Sequence, residues 1–247
     1  MTRIRLDEWL VSKGHYSSRA RARDAILRGC IALEGDISPK PSRTVPGDNA
    51  VQINDPAKRY VSRAAVKLVH ALEQTGFDPG DRVALDLGAS TGGFCQVLLE
   101  RGATHVFGVD VGHDQMAEPL RMHRGLTNLE GLNARDLKIE HLRGKSPEFI
   151  TSDISFISLK LALPPALELA APNTFGVFLV KPQFEVGKDG LGKGGIVRDA
   201  SQAKSAAESV SDWLDGFPDW RVTDFFPSPI TGGDGNREFL LAGVKDG

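Results

Sequence analysis

The run Val83-Ala84-Leu85-Asp86-Leu87 leads straight into Gly88-Ala-Ser-Thr-Gly92-Gly93-Phe94, and this junction constrains the chain more than any other feature. A short apolar run, too brief for a helix, meets a glycine-rich turn and then a helical segment from Phe94 to about Arg101. The alternation recurs downstream. Further strands are expected at 105–109, 129–132, 149–151, 175–180, 222–226 and 239–244. Strands alternating with helices predict an α/β fold with a mostly parallel sheet covered on both faces. Ligands of such open sheets sit at the carboxyl ends of the strands, where the strand order reverses.

That placement selects the polar residues. Asp110 closes the second strand, 22 residues beyond Gly88, where a carboxylate accepts hydrogen bonds from ribose hydroxyls. The spacing Gly88-x-x-x-Gly92-Gly93 is not Gly-x-Gly-x-x-Gly, so a nicotinamide dinucleotide is the weaker choice. Asp86 beside the loop would repel a pyrophosphate and attract the ammonium and sulfonium of S-adenosylmethionine. Asp153 follows the strand at 149–151, Lys181 follows the apolar strand ending at Val180 and precedes Pro182, and Glu238 stands at the mouth of the last strand. With Lys67 available from the linker ahead of the sheet, two lysines and two carboxylates gather on the expected ligand side.

The first part of the chain differs in charge. The formal net charge of −2 hides 13 Lys+Arg against 7 Asp+Glu in residues 1–67, a local +6, which leaves −8 for the rest. Such asymmetry suggests a basic module for nucleic acid or a membrane surface attached to an acidic body. A helix is expected over 6–12, ending at Gly14, and another over 19–28, capped by Ser17 or Ser18 and terminated by Gly29. Arg19 and Arg23 lie four apart on one face of it. Short strands near 30–36 and 50–53 complete the module.

Several classes are excluded. No apolar run approaches the roughly 18–20 residues that cross a bilayer, and residues 1–8 lack the apolar core of a secretory signal. Cys30 and Cys95 form neither a zinc-spaced cluster nor a disulfide framework, so no metal is expected and a reducing cytoplasm fits.

The motifs support a more specific expectation. Arg5-Leu6-Asp7, Gly14, Ser18-Arg19, Ile26, Gly29, Glu34-Gly35 and Lys40-Pro41-Ser42 resemble the S-four RNA-binding domain over residues 3–53. Ser62-Arg63 with Lys67-Leu68, Asp86 to Phe94, Asn133-Ala134-Arg135, Asp153 to Leu159, Val180 to Gly187 and Gly235 to Glu238 resemble the TlyA-type family, hemolysin-named ribosomal RNA 2'-O-methyltransferases with an FtsJ-like domain. The resemblance implies an S-four-like domain over 1–55, a linker over 56–63 and a Rossmann-like S-adenosylmethionine methyltransferase domain over 64–247. It implies Lys67, Asp153, Lys181 and Glu238 as a catalytic tetrad. The cofactor would be held by Asp86, Gly88, Ser90, Thr91, Gly92, Gly93, Phe94, Asp110, Asn133, Ala134 and Phe156, and RNA by Arg3, Arg5, Arg19, Arg23, Arg28 and Arg63.

The implied substrate is a ribose, a cytidine's, in ribosomal RNA or ribosomal subunits, with no membrane partner. Where the family pattern has a glycine after Ser62-Arg63, this chain has Ala64 and Ala65, so the local backbone is expected to differ. Longer members carry a C-terminal helix linked to modifying both subunits; the end at Gly247 implies action on one, the large. The glycine-rich segment 183–195 is expected to order on RNA, with Lys188 and Lys193 reaching phosphates. A membrane-active hemolysin and an RNA-binding assembly factor without methyltransferase activity stay open as alternatives.

Overall fold

Each strand of the second half has to bury both of its faces, and the packing shows how it does so. The computed structural model describes residues 4–36, 39–46, 51–187 and 190–247. By internal packing the chain divides into two compact units, Met1–Arg59 and Tyr60–Gly247.

The second unit contains α3 (Ala65–Thr75), β5 (Val83–Leu87), α4 (Gly93–Glu100), β6 (His105–Asp110), α5 (Glu118–Arg121) and β7 (Leu126–Glu130). It continues through β8 (Phe149–Ser152), α6 (Leu159–Ala162), α7 (Pro164–Leu169), β9 (Phe175–Val180), α8 (Ala200–Asp215), β10 (Trp220–Pro227) and β11 (Phe239–Lys245). Its strands form one sheet in the order β10-β11-β9-β8-β5-β6-β7. The strands from β7 to β9 are parallel, whereas β11 runs antiparallel to β9 and β10 antiparallel to β11. From β5 the chain moves outward to β6 and β7, then returns to β8 on the other side of β5, so the order reverses between β5 and β8.

Alternation along each strand decides which layer it meets. Leu85, Leu87, Phe178 and Val180 pack in one core with residues of α6, α7 and α8. Ala84, Val177, Leu179 and Leu240 pack in the other with α3 and α4. Asp86 shares the facing of Ala84, which sends a carboxylate toward the α4 layer instead of an apolar side chain.

The third strand expected in this unit, at 129–132, lies three residues earlier than its apolar signal suggested. β7 covers Leu126–Glu130 and is half-buried throughout, because an edge strand has one neighbour and needs no continuous apolar run. Leu132 instead lies past the strand, its amide donating to the Asp110 carbonyl. Lys67 is not in a linker: it sits on α3, packed into the sheet's helical layer. Ala64 begins that helix at φ −55°, ψ −31°, an ordinary right-handed geometry in which alanine fits without a glycine.

The first unit contains β1 (Ile4–Arg5), α1 (Leu6–Ser12), α2 (Arg19–Leu27), β2 (Ile31–Leu33), β3 (Thr44–Val45) and β4 (Val51–Ile53), with β1–β3 and β2–β4 as small antiparallel pairs. Leu6, Leu10, Ala22, Ile26, Ile31 and Leu33 form its core. Ser18 caps α2 by accepting from the Arg21 amide, and Gly29 ends the helix at φ +76°.

One buried polar network closes this unit. The Asp55 carboxylate, 1% exposed, accepts from both Arg28 terminal nitrogens at 3.0 and 3.1 Å and from the Tyr16 hydroxyl at 2.9 Å. Burial and Asp55 push the Tyr16 hydroxyl well above its ordinary value, so it stays a donor. Arg28 also pairs with Asp24 at 2.7 Å. Removing one partner of such a pair strands the other charge. Asp55→Ala is expected to destabilise the first unit by ~3 kcal/mol, read as a lower urea midpoint, while Asp36→Ala on the exposed Arg43 pair changes it little.

Candidate active site

The carboxyl ends of β5, β6, β8 and β9 converge on one edge of the sheet, and register fixes what stands there. Leu87 pairs with Ser152, so Gly88 and Asp153 leave the sheet side by side. Phe239 pairs with Val180, so in this antiparallel pair Glu238 enters the sheet where Lys181 leaves it. Lys67 comes from α3, which packs on β11.

These four residues form two ion pairs. Lys67 Nζ lies 2.6 Å from Glu238 Oε2, with both side chains at most 5% exposed. Lys181 Nζ lies 2.6 Å from Asp153 Oδ1 and donates to Ser155 Oγ at 2.8 Å and to the Asp153 carbonyl at 3.3 Å. Burial raises the Glu238 carboxyl above the ordinary range, opposed chiefly by Lys67, and Asp153 and Lys181 are also close enough to act on it. The structure therefore brings together all four residues named from the sequence.

Beside the pairs lie two cavities, of about 480 Å³ and 170 Å³, which share Gly88, Ser90, Asp153 and Ser155 in their linings. The larger has apolar walls, among them Val109, Leu132 and Ile154, with Asp110 at its polar side. Both Asp110 oxygens accept backbone amides, from Gly112 at 2.7 Å and Ser90 at 2.8 Å, which fixes the carboxylate in place. The smaller cavity reaches Lys181, Thr91, Gly93, Phe94 and the buried Asp86.

Among the described residues, no cationic side chain pairs with Asp86. Cys95 Sγ donates to its Oδ2 at 3.1 Å and Thr151 Oγ1 to its Oδ1 at 2.9 Å. Burial outweighs these donors, and its carboxyl is pushed up to about 7. A carboxyl so poised at the floor of a cavity is a seat for a positively charged ligand group.

Glycine is required here for two different reasons. Gly88 has φ +81°, and a Cβ on it would come within 2.9 Å of the Asp153 carbonyl oxygen. Gly92 and Gly93 answer to helix packing: a Cβ would meet Leu120 and Met116 at the first and Ser62 at the second. Gly92 alone of the eleven expected cofactor residues lines neither cavity, since it is buried against α5. Asn133 lines the larger one and also caps a short turn by accepting from the Arg135 amide.

Among the lining residues that were missed are Gln115 and Ser155. Gln115 accepts from Ser90 Oγ at 3.0 Å, but its loop carries no periodic signal. Ser155 lies inside the quoted run from Asp153 to Leu159, and only the fold shows it against Lys181.

The expected RNA contacts separate by exposure. Arg3 and Lys188 lie outside the described residues. Arg23 is exposed, Arg19 pairs with Asp7 and Glu8, and Arg5 pairs with Asp7. Arg28 differs from these: its guanidinium, 13% exposed, pairs with Asp24 and Asp55 and donates to the Cys30 sulfur within the first unit. Arg63 donates to the Thr231 carbonyl.

The glycine-rich loop after Lys181 is anchored where it is described. Buried Asn236 accepts from the Val197 amide at 3.0 Å and donates to the Gly195 carbonyl at 3.1 Å and to Asp234 at 2.9 Å.

Residues 60–245 match the FtsJ-like methyltransferase family. Hemolysin A of Brachyspira hyodysenteriae is 38% identical over 96% of this chain and 98% of that protein. The Mycobacterium tuberculosis protein named 16S/23S rRNA (cytidine-2'-O)-methyltransferase TlyA is 39% identical over 97% of this chain and 89% of its own. A solved structure described as a hemolysin from Streptococcus thermophilus superposes with a TM-score of 0.76 at 34% identity, covering 100% of this chain and 90% of that one. A Listeria monocytogenes S-adenosylmethionine dependent methyltransferase shares the fold, at TM-score 0.54 and 14% identity over 74% of this chain and all of that one. The family match and the seven-stranded sheet together define a methyltransferase. The chain belongs to the FtsJ-like methyltransferase family and, within it, to the TlyA-type group.

Two outcomes follow. A folded-state carboxyl held above its unfolded value stabilises the fold below the unfolded value, and that contribution is lost as pH rises through the folded one. For Asp86 the window runs from about 4 up to about 7. In urea unfolding at a series of pH values, Asp86→Asn should therefore gain stability relative to the wild type, by about 4 kcal/mol across that window. A pH-independent difference would contradict the assignment. Asn236→Ala should free the segment around 190–197, seen as faster proteolytic nicking there with the unfolding midpoint of the unit nearly kept.

Proposed function

We propose that this chain uses S-adenosylmethionine to methylate the 2'-hydroxyl of a ribose, a cytidine's as in the named relatives, in ribosomal RNA. The observation that carries this reading is the double ion pair beside two adjoining cavities, one lined by the fixed Asp110 carboxylate and the other by the buried Asp86 carboxyl.

The residues fit the methyl donor. The apolar walls of the larger cavity suit an adenine, and Asp110 keeps lone pairs for ribose hydroxyls after its two amide bonds. Asp86 suits an ammonium, and an acid at that depth opposes a pyrophosphate, which disfavours a dinucleotide. When bound, the donor supplies a methyl carbon made electrophilic by the adjoining sulfonium.

The chain's own residues handle the acceptor. Lys181, ion-paired with Asp153 at 2.6 Å, accepts the 2'-hydroxyl proton on Nζ after releasing its own to solvent, and Asp153 neutralises the ammonium that re-forms. Ser155 and the Asp153 carbonyl fix the direction in which that nitrogen points. The Lys67–Glu238 pair, buried on the acceptor side, holds the second cation and anion in place and orients the hydroxyl.

Delivery of RNA falls to the first unit and nearby cations. Arg5, Arg19 and Arg23 on the first unit and Arg63 on the second are the groups offered to phosphates, a shape-reading mode suited to structured RNA. The division of labour is an S-four-like module ahead of the catalytic unit, acting on ribosomal subunits in the cytoplasm.

The test is transfer of a labelled methyl group to ribosomal subunits, followed by mapping of the modified ribose. Lys181→Arg keeps a cation but removes the base, and should lower turnover by about a hundredfold or more while a donor analogue still binds. Wild-type activity in that variant would end the proton-acceptor role, and label on a base instead of a ribose would end the substrate assignment.

A further inference from the structure

One stretch of backbone forms the wall of the larger cavity: Asp153, Ile154, Ser155, Phe156 and Ile157 all line it. This wall is held in an unusual shape. Phe156 has φ +70°, a conformation that a bulky L-residue rarely adopts, and its side chain is 91% exposed, so burial of the ring does not secure it. Such a conformation persists only when its surroundings over-determine it.

Besides the Asp153 amide, which donates to the Leu87 carbonyl, one short segment supplies three anchors. At the near end, Lys181 binds the wall through Asp153 Oδ1, the Asp153 carbonyl and Ser155 Oγ. In the middle, the Phe184 ring contacts the Phe156 ring at 5.4 Å. At the far end, the Glu185 carboxylate accepts from Ser158 Oγ at 2.5 Å and from the Leu159 amide at 2.8 Å. All three anchors come from residues 181–185, so the wall and the lysine-bearing segment move as one body.

Lys181 serves the chemistry and Phe184 offers only a ring contact. Glu185 lines neither cavity, yet both of its oxygens are spent on Ser158 and Leu159, where the wall runs into α6. We propose that Glu185 is a positioning residue that clamps the Asp153–Ile157 wall to the segment carrying Lys181, so that affinity for the methyl donor depends on a carboxylate that touches neither donor nor acceptor. The clamp ties donor binding to the placement of Lys181, and the coupling acts in both directions. Its ligand class rests on the reading above, that the cavity holds S-adenosylmethionine.

Calorimetric titration of the full chain with S-adenosylhomocysteine, without RNA, tests it. Glu185→Ala should weaken binding about tenfold or more, and Glu185→Gln, which can keep both bonds with the Ser158 hydroxyl reversed, should stay within about threefold of wild type. Ser158→Ala removes one of the two bonds together with the Ser158 cap on the Lys160 amide, and should cause part of the loss, with less than additive loss when combined with Glu185→Ala. Both clamp variants should keep the wild-type unfolding midpoint to within a few degrees. A merely structural role would lower that midpoint without rescue of affinity by glutamine.

Wild-type affinity in Glu185→Ala overturns the proposal, and so does an equal loss in Glu185→Gln. If Glu185→Ala does not fold, Ser158→Ala decides alone: a several-fold loss supports the clamp, an unchanged affinity overturns it. A wild-type chain that binds no S-adenosylhomocysteine instead overturns the donor assignment itself, an outcome distinct from failure of the clamp.

Discussion

A buried ammonium needs an anion within contact distance, and this requirement organises the edge of the sheet where β5, β6, β8 and β9 end. Lys67 and Glu238 are both nearly inaccessible and 2.6 Å apart; either alone would carry a desolvation penalty that the fold could not absorb. Their elements are therefore committed to each other: α3 must lie against β11, and β11 must start at the edge where β9 ends. The antiparallel course of β11 supplies this. A parallel strand brings its last residues to the ligand edge, whereas β11 brings its first, so Glu238 meets Lys181 across one register step. The reversal of strand order beside β5 then opens the cavity next to the same pairs.

Much of this was legible because strand ends are short, apolar runs broken by a single polar residue. Asp110, Asp153, Lys181 and Glu238 each interrupt such a run, and each stands where its interruption suggested. Lys67 was legible as a residue but not as a position, since the amphipathic helix around it follows directly on the segment read as a linker. β7 was misplaced because half-buried edge strands do not need the apolar density that marks interior ones. Gln115 and Ser155 had no local signature; their importance comes from contacts across the fold, to Ser90 and to Lys181.

The glycines show why a motif and its physical cause have to be separated. Read along the chain, Gly88, Gly92 and Gly93 form one ligand-facing turn. In space, Gly88 makes room for the Asp153 backbone and so sets the spacing of β5 and β8 at the cavity mouth, while Gly92 and Gly93 let α4 begin against Met116, Leu120 and Ser62. The glycine-rich segment after Lys181 follows the same logic. Gly190 packs on Val186 and Gly192 on the Arg198 stem, and Asn236 ties Gly195 and Val197 to the turn ahead of Glu238. At Gly190 and Gly192 glycine serves close packing, whereas Gly194 and Gly195 supply φ of +79° and +74° with nothing against them, and composition alone would have read the loop as slack.

Formal charge and available charge also differ. The +6 of the first 67 residues counts Arg5, Arg19, Arg28 and Arg43, each of which pairs with acids of the first unit. Exposure decides which of them remain usable. Exposed pairs contribute little and are readily exchanged for a phosphate, whereas Arg28 at 13% exposure would have to abandon two carboxylates and leave the Tyr16–Asp55 network open. Arg19 at 56% and Arg5 at 40% can make that exchange, and Asp7 then acts as a fixed post, 3% exposed, that keeps both guanidinium groups near one another. The basic character of this unit is best described as a small set of exchangeable arginines held by acids, with Arg28 belonging to the frame that supports them.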